Sequence, residues 1–191
     1  MIFLLINDFR INAIGGLRAG LDIFEMVVIP SVLNNSDTWM EMDSGSDNRL
    51  DALQNCMFKN LFAVPNSVPT PALRSELGCL SMEERIDSKK LNFIFHVRTL
   101  DGSTLANEVF EQQRKYNFPG LVLEGRKLIT KYGLPNIIDE EIKLSRIQWK
   151  NITRRKVRKY SEDRLTSQFD EYSKLMGGTS CRRGARSQAL Y

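Results

Sequence analysis

The sequence predicts an all-α fold, an irregular array of seven or eight helices. Apolar residues recur every three or four positions in several segments, which is the period of an amphipathic helix. No segment alternates apolar and polar residues convincingly over six positions, so no strand is predicted. Connectors that contain proline or glycine separate the helical segments. Together these observations favour helices packed on helices.

The first two predicted helices flank a polar segment. The first covers about residues 21–33, and Pro30 should kink or split it because proline lacks an N–H group. Residues 43–48 are small and polar, so we interpret them as a loop. A second helix is predicted over about residues 47–63, and Pro65 ends it.

A proline-rich connector over residues 64–71 leads into a short third helix. Thr70 is predicted as the N-cap of that helix, with Pro71 at the first helical position. Gly78 is predicted to end it in a left-handed conformation, which glycine adopts without steric cost.

Ser81 and Glu84 have the spacing of a capping box, in which each residue's side chain bonds the other's backbone N–H. They predict a helix over about residues 82–99. Further along the chain, Asp139 is predicted as the N-cap of one helix, and another helix is predicted to begin at Ser161. The remaining predicted helices are one ending near residue 116, then residues 121–132, residues 140–160 and residues 161–176.

Length and composition divide the chain into a body and an extension. With 191 residues, the chain holds one domain, or one domain with an arm. We predict a helical domain over residues 1–135, a basic helical arm over residues 136–176 and a disordered tail over residues 177–191. The tail is rich in glycine, arginine and serine, a composition that does not build a core.

The net charge of +4 conceals a strongly basic segment. Residues 143–160 carry eight Lys and Arg and no Asp or Glu, so the rest of the chain carries −4. Such a helix either tracks phosphates or is a solvated basic face, and its cationic run also resembles a nuclear import patch. The predicted nucleic-acid-binding residues are Lys150, Arg154, Arg155, Lys156, Arg158 and Lys159.

Cysteine and histidine counts exclude most metal and thiol chemistry. The chain has three Cys and one His, and no Cys pair has the spacing of a zinc site. A nucleophilic pair of His96 with Cys56 or Cys79 is formally available. We favour the simpler interpretation that both cysteines sit among apolar residues and behave as small hydrophobic side chains, and that His96 is a boundary or core residue. No metal site is predicted.

Acidic clusters do not form a catalytic group in the sequence. They occur at residues 83–84, 139–141 and 162–163, all near predicted helix starts, where carboxylates cap the helix and complement its dipole. Two-metal polymerase chemistry needs carboxylates that converge on two ions, and no Asp-Asp pair occurs. No catalytic residue is therefore predicted.

Connectors and helices over roughly residues 11–160, taken in order, resemble non-LTR (LINE-type) retrotransposon reverse transcriptases in the region after the palm. The resemblance includes an acidic-Thr-Trp element at Asp37-Thr-Trp39, a Leu-x-x-Leu-Gln-Asn helix at Leu50-Asp-Ala-Leu-Gln-Asn55 and a Val-Pro…Thr-Pro-x-Leu connector at residues 64–73. The matching segments are residues 19–39, 50–55, 64–74, 77–86, 118–121 and 148–150.

The resemblance implies the thumb and post-thumb region of an RNA-directed DNA polymerase. In that family this region is helical, packs against the template–primer duplex and does not carry the catalytic aspartates. The divalent metal belongs to a palm site that is absent from this sequence, so no cofactor is expected. The chain departs from the family beyond about residue 176, where a Cys/His knuckle commonly follows. We expect a fragment or a degenerate copy of such an element.

The expected function is therefore nucleic-acid binding without polymerase activity, with an RNA/DNA duplex as the partner. The alternative is a non-catalytic helical protein-interaction module that self-associates through exposed apolar faces of helices 20–33 and 50–62. A folded enzyme of another type is the weakest alternative. No run of 18 apolar residues occurs and no signal peptide is recognised, so we expect no membrane partner and a location in the nucleus or cytoplasm.

Overall fold

The computed structural model describes residues 13–39, 44–141 and 143–175, and over these residues the predicted all-α fold is confirmed. No strand occurs in this part of the chain. Among the described residues, seven helices have eight or more residues. They are α1 (Ala13–Ile23), α2 (Ser44–Leu61), α3 (Thr70–Leu77), α4 (Met82–Arg98), α5 (Leu105–Tyr116), α6 (Leu121–Tyr132) and α7 (Arg146–Leu175).

The interruption predicted at Pro30 takes the form of a π-helical turn. Helix α1 continues through the π turn Phe24–Val28 into the four-residue helical segment Ile29–Val32. Within the turn, the Ile29 N–H donates to the Phe24 carbonyl five residues earlier. In a regular α-helix the proline ring would clash with a carbonyl group of the preceding turn. The wider π-helical backbone relieves that clash.

The starts of α1, α2 and α3 differ from the sequence prediction. Helix α1 begins at Ala13, about eight residues before the predicted start near residue 21. Helix α2 begins at Ser44, inside the predicted polar loop, because short polar residues are also well accepted at helix N-termini. Helix α3 begins at Thr70, and the residue that caps it is Pro69, in an extended conformation and without a side-chain bond. Gly78 ends α3 at φ +60°, as predicted.

Helix α4 is the central element, and its capping box is confirmed. The Glu84 N–H donates to Ser81 Oγ at 3.1 Å, and the Ser81 N–H donates to Glu84 Oε2 at 2.8 Å. The N-terminal part of α4 contributes to one apolar cluster and the C-terminal part to another. The first cluster contains Phe24, Ile29, Leu33, Phe58, Leu73, Met82 and Ile86. The second contains Leu91, Ile94, Phe95, Val97, Phe110, Val122, Leu128, Ile129, Tyr132, Leu134, Ile137, Ile138, Trp149 and Val157.

The predicted boundary between two helices at residues 160–161 is wrong. Helix α7 runs without a break through 30 residues, and Ser161 is buried in its middle. Its N-terminus is capped by Ser145, which accepts from the Gln148 N–H at 3.2 Å while its own N–H donates to Gln148 Oε1 at 2.9 Å. This capping box was present in the sequence and fixes the start of the helix locally.

Asp139 does not cap a helix. Residues 133–141 form an irregular segment in which Asp139 binds Arg126 through both carboxylate oxygens, at 3.0 and 2.6 Å. The Asp139 N–H also donates to Asn136 Oδ1 at 3.2 Å, which closes a local turn. The carboxylate is therefore engaged with α6, and Ser145 is left to start α7.

Helix α7 is anchored to the helical body. Trp149 is 1% exposed, stacks on Phe95 at 5.4 Å between ring centroids and donates from Nε1 to the Leu91 carbonyl at 3.1 Å. Val157 lies in the same cluster. The division at residue 135 stays a prediction, although these contacts place α7 against α4. The predicted disordered tail, residues 177–191, lies outside the described residues.

Candidate nucleic-acid interface

One face of α7 is buried, and this determines where its cations lie. Trp149, Thr153, Val157 and Ser161 follow one another at intervals of four residues, and all four are buried. Residues spaced in this way share a helix face. The cations lie between them in sequence, so they project to the flanks of the buried strip and to solvent.

All six predicted nucleic-acid-binding residues are exposed, but the structure does not bring them together on one face. Residues three or four apart on a helix are neighbours. The six cations therefore form a broad band around the exposed side of α7. Lys150, Arg154 and Arg158 share one strip, Arg155 and Lys159 share the next, and Lys156 neighbours Lys159 at the edge of the band.

Two of the six cations lie beside the C-terminal ends of other helices. The guanidinium of Arg158 reaches within 3.8 Å of the position that a Cβ would take at Gly78, the residue that ends α3. Lys156 Nζ lies 4.0 Å from the corresponding position at Gly133, which ends α6 at φ +58°. Because the carbonyl end of a helix carries a partial negative charge, both cations stabilise the packing of α7. Their role is thus partly structural.

Lys150 and Arg154 line a cleft between α4 and α7. The cleft has a volume of about 260 Å³ and lies where the two apolar clusters meet. Two cations of α4, Arg85 and Lys89, face it from the other side. Its remaining lining residues are Ile29, Leu33, Leu80, Ser88, Asn92 and Val157. The site therefore combines an apolar floor with a cationic rim.

The four cations of the cleft differ in their partners. Arg85 binds the Glu25 carboxylate with both terminal nitrogens, at 2.8 and 2.5 Å. Lys89 Nζ donates to the Leu33 carbonyl at 2.7 Å. Lys150 and Arg154 make no ion pair with any described residue. Three of the four positive charges therefore lack a carboxylate partner in this part of the chain.

Sequence reasoning missed Arg85 and Lys89. They are four residues apart on the helix with the clearest start signal, so their shared face could have been predicted. Their approach to α7 could not, because it depends on how two helices far apart in sequence pack. The missed half of the cleft is thus a consequence of tertiary structure.

The carboxylates at the start of α4 are neutralised by cations. Lys131 Nζ donates to Glu83 Oε1 at 2.5 Å and to Asp87 Oδ2 at 2.8 Å. Arg164 on α7 donates to Glu83 Oε2 at 3.2 Å and forms an ion pair with Glu84 Oε1 at the same distance. Burial alone would raise the pKa of Glu83, but the hydrogen bonds and charges of Lys131 and Arg164 hold that pKa below its ordinary value. This cluster is a network that joins α4, α6 and α7.

The cysteine–histidine pair considered above gains no support from the described residues. His96 is exposed on α4, so it is not a core residue. Cys56 is exposed as well, with its sulfur 3.6 Å from Asn60 Nδ2, which corrects the expectation that it behaves as a small hydrophobic residue among apolar neighbours. Cys79 is half-buried among apolar residues, and burial raises the pKa of its thiol. No group of three or more His, Cys, Asp or Glu among the described residues could hold a metal ion.

Comparisons with protein-family models, with curated proteins and with solved structures found no match to this chain. Among the helices that the structure describes, none is long and apolar enough to cross a membrane.

Proposed function

We propose that the chain binds a nucleic-acid duplex through the cations of α7, as a thumb-like piece or degenerate copy of a LINE-type reverse transcriptase. The proposal includes no polymerase activity of the chain itself. The observation that carries it is the scarcity of described carboxylate partners for the eight cations of residues 143–160, compared with the cations of the helical body. Unpaired, exposed cations on one helix are what a phosphate backbone requires.

In the body, six of the described cations form ion pairs with carboxylates, whereas others, such as Arg49, Lys89 and Lys115, form none among the described residues. The six that form such pairs are Arg74, Arg85, Lys90, Arg114, Arg126 and Lys131. Over residues 143–160 the described ion pairs reduce to one, a 3.8 Å contact between Arg158 and Glu162. Both side chains of that pair are largely exposed, so it stabilises little. Eight like charges on one segment repel one another, and phosphates would relieve that repulsion.

The cations best suited to a test are Arg155 and Lys159, because they neither line the cleft between α4 and α7 nor lie beside the ends of α3 and α6. They are exposed and four apart, and the structure shows no described partner for either. The double variant R155Q/K159Q should weaken binding of an RNA–DNA hybrid duplex, measured by fluorescence anisotropy with the whole chain. A matched control, R49Q/K115Q, removes the same charge from exposed positions on α2 and α5 and should bind as the parent does. Equal losses in both variants would contradict a specific role for α7.

Salt dependence provides a second test of the same proposal. Each neutralised phosphate releases counterions, so log K should fall linearly with log salt concentration, with a slope of several units. The slope should become shallower by about 1 to 2 in R155Q/K159Q, because two phosphate contacts are removed. A flat dependence for the parent chain would exclude the duplex as partner.

The absence of polymerase activity is tested directly by primer extension with the isolated chain and Mg²⁺ or Mn²⁺. The sequence has no Asp-Asp pair, and the carboxylates at the start of α4 are bound by cations. We expect no extended primer above a protein-free control. Extension that persists through purification would overturn this part of the proposal.

A protein-interaction module remains the second candidate, favoured by one surface. Ile23, Met26 and Val27 are spaced as one helix face and are 40%, 71% and 57% exposed. Other apolar residues of the two predicted faces are packed, including Phe24, Ile29 and Phe58, whereas Leu53 on α2 is 45% exposed. Light scattering after size exclusion tests self-association, and M26E should abolish any dimer that uses this surface.

A further inference from the structure

The cleft between α4 and α7 is lined by positively charged side chains, which favour an anionic ligand. We propose that it binds a phosphomonoester group, carried by the end of a nucleic-acid strand or by a free nucleotide. Arg85, Lys89, Lys150 and Arg154 surround the cleft, and nothing in the preceding assignment of α7 accounts for the two cations of α4.

Counting the charges at the rim identifies the ligand as strongly anionic. Glu25 neutralises Arg85 through a bidentate pair, so this guanidinium is held rigidly but adds no net charge. Lys89 contacts only the neutral Leu33 carbonyl among the described residues, and Lys150 and Arg154 have no described carboxylate partner. A phosphomonoester carries a charge of about −1.5 to −2 near neutral pH, which complements three cations better than the single charge of a backbone phosphodiester does.

The size and polarity of the cleft agree with a small phosphorylated group. Its volume of about 260 Å³ lies just below the usual range for drug-sized ligands. The cationic rim can hold the phosphate oxygens, while Ile29, Leu33 and Val157 on the floor can contact the apolar face of a sugar or base. Ser88 adds a hydroxyl group that can donate to a phosphate oxygen.

The cleft proposal rests on the duplex-binding function where the phosphate is carried by the end of a nucleic-acid strand. It does not rest on that function where the ligand is a free nucleotide. Cations of α4 and α7 both contribute, whereas duplex binding was assigned to the exposed faces of α7 alone. Binding of a free nucleotide does not require a duplex, so the two proposals can fail separately.

The experiment compares two hybrid duplexes of one sequence, one with a 5′-phosphate and one with a 5′-hydroxyl, bound to the whole chain. We expect the phosphorylated duplex to bind roughly tenfold more tightly, since charged hydrogen bonds are gained only there. R154Q and K89Q, each confirmed as folded by circular dichroism, should abolish this preference. The control R155Q should weaken both duplexes alike and retain the preference, because Arg155 is exposed and does not line the cleft.

A calorimetric titration with a nucleoside monophosphate and with inorganic phosphate distinguishes the sources. Nucleotide binding that R154Q abolishes supports the cleft even where no duplex binds, and in that case the duplex function fails alone. Duplex binding without a 5′-phosphate preference, and without nucleotide binding, overturns the cleft and leaves the duplex function standing. A preference that persists in both R154Q and K89Q also overturns the cleft.

Discussion

Tyr132 donates its hydroxyl hydrogen to Asp87 Oδ2 over 2.6 Å, which joins α6 to α4 at a buried position. Asp87 Oδ2 also accepts from Lys131, whose ammonium lies 5.2 Å from the centre of the Tyr132 ring and 5.8 Å from that of Tyr160. Burial, followed by the charge of Asp87 and its hydrogen bond, raises the pKa of Tyr132 well above its ordinary value. The phenol therefore stays protonated and remains a donor.

Removal of this hydroxyl should destabilise the fold. In Y132F the ring stays in the core, but Asp87 loses one buried donor, so the free energy of unfolding should fall by about 1 to 3 kcal/mol. Urea denaturation followed by circular dichroism measures the change. The matched control Y116F, at an exposed ring on α5, should leave the free energy of unfolding within about 0.5 kcal/mol of the parent. An equally stable Y132F would show that the bond adds nothing.

The network also predicts how stability depends on pH. Because the folded-state pKa of Glu83 is lowered from an ordinary value of 4.5, its ion pairs stabilise the fold above that pH. That contribution should be lost as the pH falls through the lower folded-state pKa. In E83Q the loss of stability between about pH 5 and pH 3 should be smaller than in the parent.

The control for this pH series is E76Q, which removes an exposed carboxylate of α3 with no described ion pair. Its acid profile should match that of the parent. Thermal unfolding at a series of pH values measures all three proteins. Parallel curves for E83Q and the parent would show that Glu83 does not carry the acid sensitivity.

Local signals in the sequence were sufficient for most helix boundaries, because caps act over four residues. The pair Ser81 and Glu84 and the stop at Gly78 were predicted correctly for this reason. The Ser161 signal failed because this residue lies on the buried strip of α7, and packing of that strip continues the helix past a local start signal. The cleft could not be predicted, since its two halves meet only in the folded chain.

Trp149 should be the residue on which the attachment of α7 most depends. Its ring is buried against Phe95, and W149A would remove that contact and leave a cavity, at a cost of about 3 to 5 kcal/mol. W149F keeps an aromatic ring and should cost less, although the Leu91 carbonyl loses its donor. Urea denaturation ranks the two variants. A W149A variant as stable as W149F would show that ring packing does not hold α7.

Gly125 is expected to gain no stability from a side chain, even though it lies within a helix. A Cβ at this position of α6 would approach Ile94 Cδ1 and Ile138 Cδ1 to 2.8 Å each, and both isoleucines are fully buried. Alanine improves helix propensity by about 1 kcal/mol, but overpacking of a dense core costs about 1 to 3 kcal/mol. G125A should therefore be destabilised or neutral at best.

Gly102 provides the matched comparison for G125A, because a Cβ there would meet no atom within 4 Å. Its φ is also not positive, so alanine fits the existing backbone. G102A should be as stable as the parent or slightly more stable, since alanine restricts the unfolded chain. Thermal and urea unfolding of both variants give the comparison. A gain in stability for G125A that exceeds the gain for G102A would mean that Ile94 and Ile138 move aside, and that α4 and α6 are packed less tightly than their contact across Gly125 implies.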